Sequence, residues 1–184
     1  SKKAVYAWVA AILILIALLL VISGCGANNS TDDTTEAISL NQVGEYSGAP
    51  YVYLNNNMPY FTDEEKENTK PFENYSSLDD LGRCGVAFAN IYKELMPTEE
   101  RGPIGQIKPS GWHTVKYNGI IDGNYLYNRC HLIGYQLTGE NANELNLITG
   151  TRYLNTEGME GFENTVGDYV AEMENHVVWE DTKL

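Results

Sequence analysis

The residues best suited to chemistry in this 184-residue chain lie in two short stretches beyond its middle. The first contains Arg129 and His131, and the second contains Asn146, Arg152 and Asn155. A neutral imidazole accepts a proton near physiological pH, because its unperturbed pKa is about 6.5. Guanidinium groups are planar and permanently charged, which suits them to phosphate. Together these residue types are typical of one-metal phosphodiester cleavage.

Phosphodiester hydrolysis also requires charge neutralisation on the phosphate oxygens and on the leaving group. A hydrated Mg²⁺ ion supplies both and needs few protein ligands, because it keeps several of its waters. One amide oxygen, such as that of Asn146, is chemically sufficient. We therefore expect His131 to be the general base and Mg²⁺ to be the cofactor, with Mn²⁺ as the alternative.

These two stretches, together with residues 111–117, resemble the DNA/RNA non-specific endonuclease family, and most closely its Firmicutes branch that includes DNA-entry nucleases. The resemblance covers roughly residues 43–176. It implies an α+β fold with a ββα-metal (His-Me finger) core and an antiparallel sheet. In this core a strand carries an Asp-Arg-Gly-His motif, and a metal-binding asparagine precedes a helix.

The resemblance implies roles for the basic residues of the two stretches. His131 is the implied general base. From guanidinium chemistry we expect Arg129 and Arg152 to bind the substrate phosphate, and we expect Arg129 to be a catalytic residue as well. The expected substrates are DNA and also RNA, with little sequence preference, because these groups address phosphate and not base edges.

The resemblance also implies a metal site. Asn146 is the implied Mg²⁺ ligand and Asn155 a second asparagine of the site, whereas Glu163 orients metal-bound water from the following helix. Other interpretations of the pattern stay open for two of these residues. Asn155 also suits the start of a helix, and Glu163 also fits an ordinary exposed helix acid.

The motif departs from the family pattern at two positions. It reads Asn-Arg-Cys-His, so that Asn128 replaces the aspartate and Cys130 replaces the glycine. We expect both changes to tune the site without inactivating it. A second cysteine, Cys84, allows a disulfide with Cys130 outside the cytoplasm, but buried thiols are common in protein cores. We expect two thiols.

The N-terminal segment, residues 1–25, predicts a membrane anchor or a lipoprotein signal. Lys2 and Lys3 precede an uncharged apolar run at residues 4–22, which at about 1.5 Å per residue crosses most of a hydrocarbon core of about 30 Å. The Ile-Ser-Gly-Cys sequence that ends at Cys25 resembles a lipobox, with Cys25 as the lipidation site. An uncleaved transmembrane helix is the alternative. Both place the domain on the extracellular face of the cell membrane.

Residues 26–42 are mostly small and polar, so they predict a disordered tether. The nuclease domain then extends over residues 43–184. Within it we predict strands at 51–54 and 85–92, a turn at 55–57 and a helix beginning after Thr62. We also predict a hairpin of residues 112–117 with 125–133 that carries His131, and a helix over 159–174.

The net charge of −13 argues against a nucleic-acid substrate, but the charge is unevenly distributed. Residues 101–152 carry five basic and three acidic side chains. Residues 27–100 carry four basic and 14 acidic side chains. Residues 153–184 carry one basic and eight acidic side chains. The motif therefore lies in the least acidic part of the chain.

Two functions fit this sequence. The first is a membrane-anchored, extracytoplasmic, Mg²⁺-dependent endonuclease without sequence specificity and without an organic cofactor. The alternative is a catalytically impaired, membrane-tethered component for DNA binding or uptake. In the family pattern, further strands normally follow the helix. The short chain end here predicts truncation at the C-terminus, and this truncation is the reason for the alternative.

Overall fold

A three-stranded antiparallel sheet forms one layer of the fold. The computed structural model describes residues 40–173 and 175–181. Its first sheet has the order β1-β2-β5, with β1 at Phe72–Tyr75, β2 at Ala87–Ile91 and β5 at Val177–Asp181. The central strand β2 is almost entirely buried, which agrees with its apolar sequence. The strand predicted at residues 85–92 is therefore confirmed.

A two-stranded sheet and a long helix form the part of the fold that carries the motif. Strand β3, Tyr127–His131, pairs antiparallel with β4, Leu147–Thr151. A π turn at Leu154–Met159 follows and leads directly into the helix α3, Glu160–Met173. This order of two antiparallel strands and a helix confirms the α+β fold expected for a ββα core, and the helix predicted at residues 159–174 is present.

Short helices complete the described chain. Helix α1, Asp63–Glu67, begins with a capping box, in which Thr62 accepts a hydrogen bond from the Glu65 backbone and Glu65 accepts one from the Thr62 backbone. The helix start predicted after Thr62 is therefore confirmed. Helix α2, Tyr135–Thr138, lies between β3 and β4. Three short 3₁₀ segments lie at Leu40–Gln42, Asn55–Asn57 and Lys93–Leu95.

Two local predictions were wrong. Residues 51–54 form no strand, although the turn predicted at 55–57 is present, with all three asparagines at positive φ. The predicted hairpin of residues 112–117 with the histidine strand is reduced to a single bridge between Lys116 and Tyr125. The histidine strand pairs with β4 because β4 buries Leu147 beside His131, whereas residues 112–117 are mostly exposed and bury little apolar surface.

The hydrophobic core lies directly beneath the end of β3. Leu132 and Ile133 follow His131 and pack with side chains from the first sheet, from α2 and from α3. The Trp179 indole of β5 donates a hydrogen bond to the Leu132 carbonyl at 3.1 Å. Full burial of a side chain such as Ile133 contributes about 1.5–3 kcal/mol. His131 is thus attached to the most firmly packed part of the described chain.

The two cysteines in the described residues are separate thiols, as expected. Cys84 is 3% exposed and donates its thiol to the carbonyl oxygens of Glu144 and Leu147. Burial raises the pKa of the Cys130 thiol to about 12, so this thiol is protonated at physiological pH.

The predicted anchor, residues 1–25, lies outside the described residues, as does the tether up to residue 39. Cys25 therefore has no structural description. Among residues 40–173 and 175–181, no helix is both long and apolar enough to cross a membrane.

Candidate active site

His131 stands at the end of β3 with both ring nitrogens in contact with other groups. Its side chain is 5% exposed. Its Nε2 lies 2.8 Å from the backbone oxygen of Asn141, and its Nδ1 lies 3.3 Å from the Arg101 guanidinium. Because a carbonyl oxygen only accepts hydrogen bonds, the proton of the neutral ring is assigned to Nε2. Nδ1 is then the basic nitrogen. It accepts a hydrogen bond from the Arg101 guanidinium, which must release Nδ1 before that nitrogen takes a proton.

The surroundings of His131 keep its ring neutral. Burial lowers the pKa of His131, because the charged form loses solvation, and the positive charge of Arg101 lowers it further. The hydrogen bond with the Asn141 carbonyl opposes this shift. The net pKa is lower than the ordinary value, so the ring is available as a base at neutral pH.

Arg101 is a site residue that sequence reasoning missed. It lies in the Gly- and Pro-rich connection between β2 and β3, 30 positions before the histidine that it contacts. Its charge lowers the pKa of Glu163 as well as that of His131. A basic residue in such a loop carries no local sequence signal. Only the path of the connection across β3 brings Arg101 to His131.

Glu163 on α3 lies against the segment that follows the histidine strand. Its Oε2 accepts a hydrogen bond from the Gln136 side-chain amide at 2.9 Å. A Cβ at Gly134 would lie 2.7 Å from the same carboxylate, so only glycine leaves room for it. Burial raises the pKa of Glu163, although the Gln136 bond and Arg101 both oppose this shift. The expected proximity of Glu163 to the motif is therefore observed.

Asn155 lies within the π turn that precedes α3. It is half-buried, and no described residue bonds to its side-chain amide. Asn155 and Glu163 are eight positions apart. In a regular α-helix, eight residues turn about 80° beyond two full turns, so the two side chains would point in different directions. A π turn contains more residues than an α turn, and one π turn followed by one α turn contains about eight residues. The π turn therefore aligns Asn155 with Glu163 on one face.

Asn146 has a different environment from the one predicted for a metal ligand. It is fully buried, its Oδ1 accepts the Ile133 N–H at 2.8 Å, and its Nδ2 donates to the Ile133 carbonyl at 3.0 Å. Its amide oxygen is thus occupied and inaccessible to an ion. This geometry disfavours Asn146 as a ligand and assigns it to the positioning of the chain just after His131.

The two arginines predicted to bind phosphate are both engaged elsewhere. Arg129 donates to the backbone oxygens of Ile107 and Gly105 and stacks on Trp112, with its Cζ 3.8 Å from the ring centroid. It therefore holds the connection from β2 against β3.

Arg152 lies at the opposite end of the hairpin from His131. Its backbone N–H bonds to the Leu126 carbonyl, and its guanidinium forms a 2.9 Å ion pair with Asp122. Tyr127, next to this end, pairs with Thr151, whereas His131 pairs with Leu147. At about 3.3 Å per residue, Arg152 is more than 10 Å along the hairpin from His131.

The site thus combines His131, Arg101 and Glu163, with Asn155 on the same helix face as Glu163. Among the described residues, no group of three or more His, Cys, Asp or Glu side chains is close enough to hold a metal. The donors are instead one amide oxygen and one carboxylate. Such hard oxygen donors fit a largely hydrated Mg²⁺ ion, which requires few protein ligands.

Comparisons with known proteins identify the family and the fold. The family model described as DNA/RNA non-specific endonuclease matches residues 61–181. Among solved structures, NucA from Streptococcus agalactiae with bound magnesium is 24% identical with a TM-score of 0.56, covering 64% of this chain and 58% of NucA. The metal-free form of NucA is 22% identical with a TM-score of 0.54, covering 65% and 59%.

A third solved structure, Sda1 nuclease with bound zinc, is 25% identical with a TM-score of 0.50 and covers 61% of each chain. A search of curated proteins gave no match. This chain spans about three fifths of the length of these solved nucleases. The matches confirm the predicted family and the α+β fold with antiparallel sheets.

Proposed function

Because this chain belongs to the DNA/RNA non-specific endonuclease family, we propose that it hydrolyses phosphodiester bonds of DNA and RNA without sequence specificity. The observation that supports this most strongly is the state of His131. The Asn141 carbonyl fixes the proton on Nε2, and Nδ1 stays basic beside Arg101. A histidine fixed in this way is suited to take a proton from the attacking water.

Arg101 provides the positive charge nearest to the base. Its guanidinium is permanently protonated and therefore stabilises negative charge on a phosphate held next to His131. Burial lowers the pKa of His131 most, and Arg101 lowers it further, so both keep the ring neutral. We assign to Arg101 the phosphate-binding role that the sequence suggested for Arg129 and Arg152, because Arg101 lies at His131 itself. Arg129 bonds to the connection from β2, and Arg152 pairs with Asp122.

We propose Asn155 as the protein ligand of a magnesium ion and Glu163 as the acidic residue that orders water around it. When bound, such an ion neutralises phosphate charge and stabilises the leaving oxygen. Support comes from the amide of Asn155, to which no described residue bonds, from the π turn that aligns it with Glu163, and from the magnesium bound by NucA. Mn²⁺, which also prefers oxygen ligands, is the alternative metal.

A cleavage assay tests this activity directly. The purified full chain is incubated with supercoiled plasmid, single-stranded DNA and RNA, in Mg²⁺ and in EDTA. We expect cuts in all three substrates in Mg²⁺ and none in EDTA, with rates that fall as salt rises. Binding of DNA without cleavage in any divalent ion would instead support the DNA-binding or uptake component.

We also propose that residues 1–25 attach the domain to the outer face of the cell membrane, with Cys25 as the lipidated residue. The support is the Lys pair, the apolar run and the small residues before Cys25 in the sequence. Labelled fatty acid should enter the wild-type protein but not the Cys25→Ala variant. Membrane association without label would support the transmembrane helix.

A further inference from the structure

The connection from β2 follows β3 as a series of contacts ordered along the strand. Arg101 contacts His131, and the Arg129 guanidinium lies on the Trp112 ring. This order runs antiparallel to the strand and leads away from the catalytic histidine.

The series continues beyond the arginine with two more pairs. The His113 and Tyr127 ring centroids are 4.5 Å apart, and the Lys116 Nζ lies 4.5 Å from the Tyr125 ring centroid. Tyr125 is 44% exposed, and His113 and Lys116 are exposed. The outer pairs are thus the most accessible.

The charge around these pairs is unusual for this acidic chain. Residues 101–139 contain four basic side chains and one acidic side chain, in a protein with 25 acidic residues in total. The single acid, Asp122, forms the ion pair with Arg152. The segment that carries these pairs is therefore less acidic than the rest of the chain, which reduces the repulsion that a polyanion meets there.

From these observations we propose that the pairs Arg129–Trp112, His113–Tyr127 and Lys116–Tyr125 form a binding track for single-stranded nucleic acid that leads to His131. Aromatic faces stack on unpaired bases of any sequence, and the exposed Lys116 beside Tyr125 is the cation that contacts the phosphates. The bases of a duplex are stacked on one another and cannot stack on these rings. A duplex would therefore be bound only through the attraction between its phosphates and the cations. The proposal rests on the nuclease function, because it names the form of substrate that reaches the site.

The dimensions of the track set a length requirement. Tyr125 is six residues before His131, which corresponds to about 20 Å of extended chain. At the duplex rise of about 3.4 Å per nucleotide, this distance equals about six nucleotides, and fewer where the single strand is extended. A trinucleotide bound at His131 does not reach Tyr125, whereas a 12-nucleotide strand does.

Binding measurements on the full chain test the track. In a His131→Ala background, which prevents cleavage, fluorescence anisotropy follows a labelled trinucleotide, a 12-nucleotide strand and a 12-base-pair duplex. Tyr125→Leu should weaken binding of the 12-nucleotide strand about tenfold and leave trinucleotide binding unchanged. Lys116→Gln should reduce the salt dependence of that binding by about 0.7 in the logarithmic slope.

Matched changes elsewhere serve as controls. Tyr169→Leu and Lys70→Gln remove an exposed ring and an exposed charge outside the track. These two changes should leave binding of the 12-nucleotide strand the same as in the His131→Ala protein. Equal effects of the Tyr125 and Tyr169 changes would overturn the track, and equal losses for duplex and single strand would overturn its preference for unpaired bases.

Parallel assays with His131 intact separate this proposal from the nuclease function. Cleavage of the 12-nucleotide strand by the wild-type chain, combined with unchanged binding in the Tyr125 and Lys116 variants, overturns the track alone. The expected binding losses without any cleavage by the wild-type chain overturn the nuclease function and leave the track as a binding surface.

Discussion

Cys130 occupies space that Gly150 leaves open on the neighbouring strand. A Cβ built at Gly150 would lie 2.6 Å from the Cys130 Sγ, far inside van der Waals contact. The cysteine that replaces the glycine of the family motif is thus accommodated by a glycine on the opposite strand. This pairing explains how the motif tolerates a side chain at position 130 while His131 stays in place.

A double-mutant cycle should reveal this complementarity. Gly150→Ala alone should destabilise the protein by about 1–3 kcal/mol, because the new methyl group overpacks the site. In a Cys130→Ala background the Sγ is gone, and the nearest remaining atom is Leu154 Cδ2 at 3.2 Å, so the same change should cost less. Urea unfolding of the four proteins measures the coupling. Additive effects would show that the two residues do not compete for space.

Arg101 should contribute, after burial, to the position of the acidic limb of the pH profile. The base acts only when His131 is neutral, so activity rises as pH increases through the pKa of His131. Arg101 lowers that pKa, and Arg101→Gln should therefore move the limb of kcat/KM to higher pH as well as reduce the rate. Lys108→Gln, an exposed change in the same connection, is the control. An unchanged limb in Arg101→Gln would separate the guanidinium from the base.

The position of Glu163 should depend on Gly134. Gly134→Ala places a methyl group 2.7 Å from the carboxylate and should raise the Mg²⁺ concentration needed for half-maximal activity. The matched control is Gly161→Ala on the same helix, where a Cβ meets no atom within 4 Å. That change should retain activity and, through helix propensity, stabilise by up to about 1 kcal/mol. The same metal requirement in both variants would contradict the role of Gly134.

The two asparagines should separate stability from metal binding. Asn146→Ala leaves the buried N–H and C=O of Ile133 without partners and should cost about 2–4 kcal/mol of unfolding free energy. Asn155→Ala should change stability by about 0.5 kcal/mol or less but raise the Mg²⁺ concentration for half-maximal activity. Thermal unfolding and metal titration measure the two effects. A metal defect in a fully stable Asn146→Ala protein would restore Asn146 as the ligand.

The sequence predicts the parts of the fold that local pattern controls. Three elements are predicted from a few neighbouring residues, and each is confirmed. They are the apolar strand β2, the helix start at Thr62 and the helix that ends at Met173. The family resemblance likewise predicts the order of two strands and a helix around His131. These features depend on neighbours along the chain or on a motif of fixed spacing.

The remaining features depend on contacts between distant segments. The partner of the histidine strand is decided by burial of Leu147, which local alternation in residues 112–117 does not reveal. Residue type alone also does not show whether the Asn146 amide faces backbone groups or an open site. Arg101 reaches His131 only because the long connection crosses β3.

Chemical rescue of His131→Gly tests the central claim most directly. The variant should lose about 10²- to 10⁴-fold of the DNA-cleavage rate, as expected for removal of a general base. Added imidazole should restore part of that rate, with a pH dependence that follows imidazole itself. His176→Gly, which removes a histidine far along the chain, should cleave as the wild type does. Near-wild-type cleavage by His131→Gly without imidazole would contradict the assignment of His131 as the base.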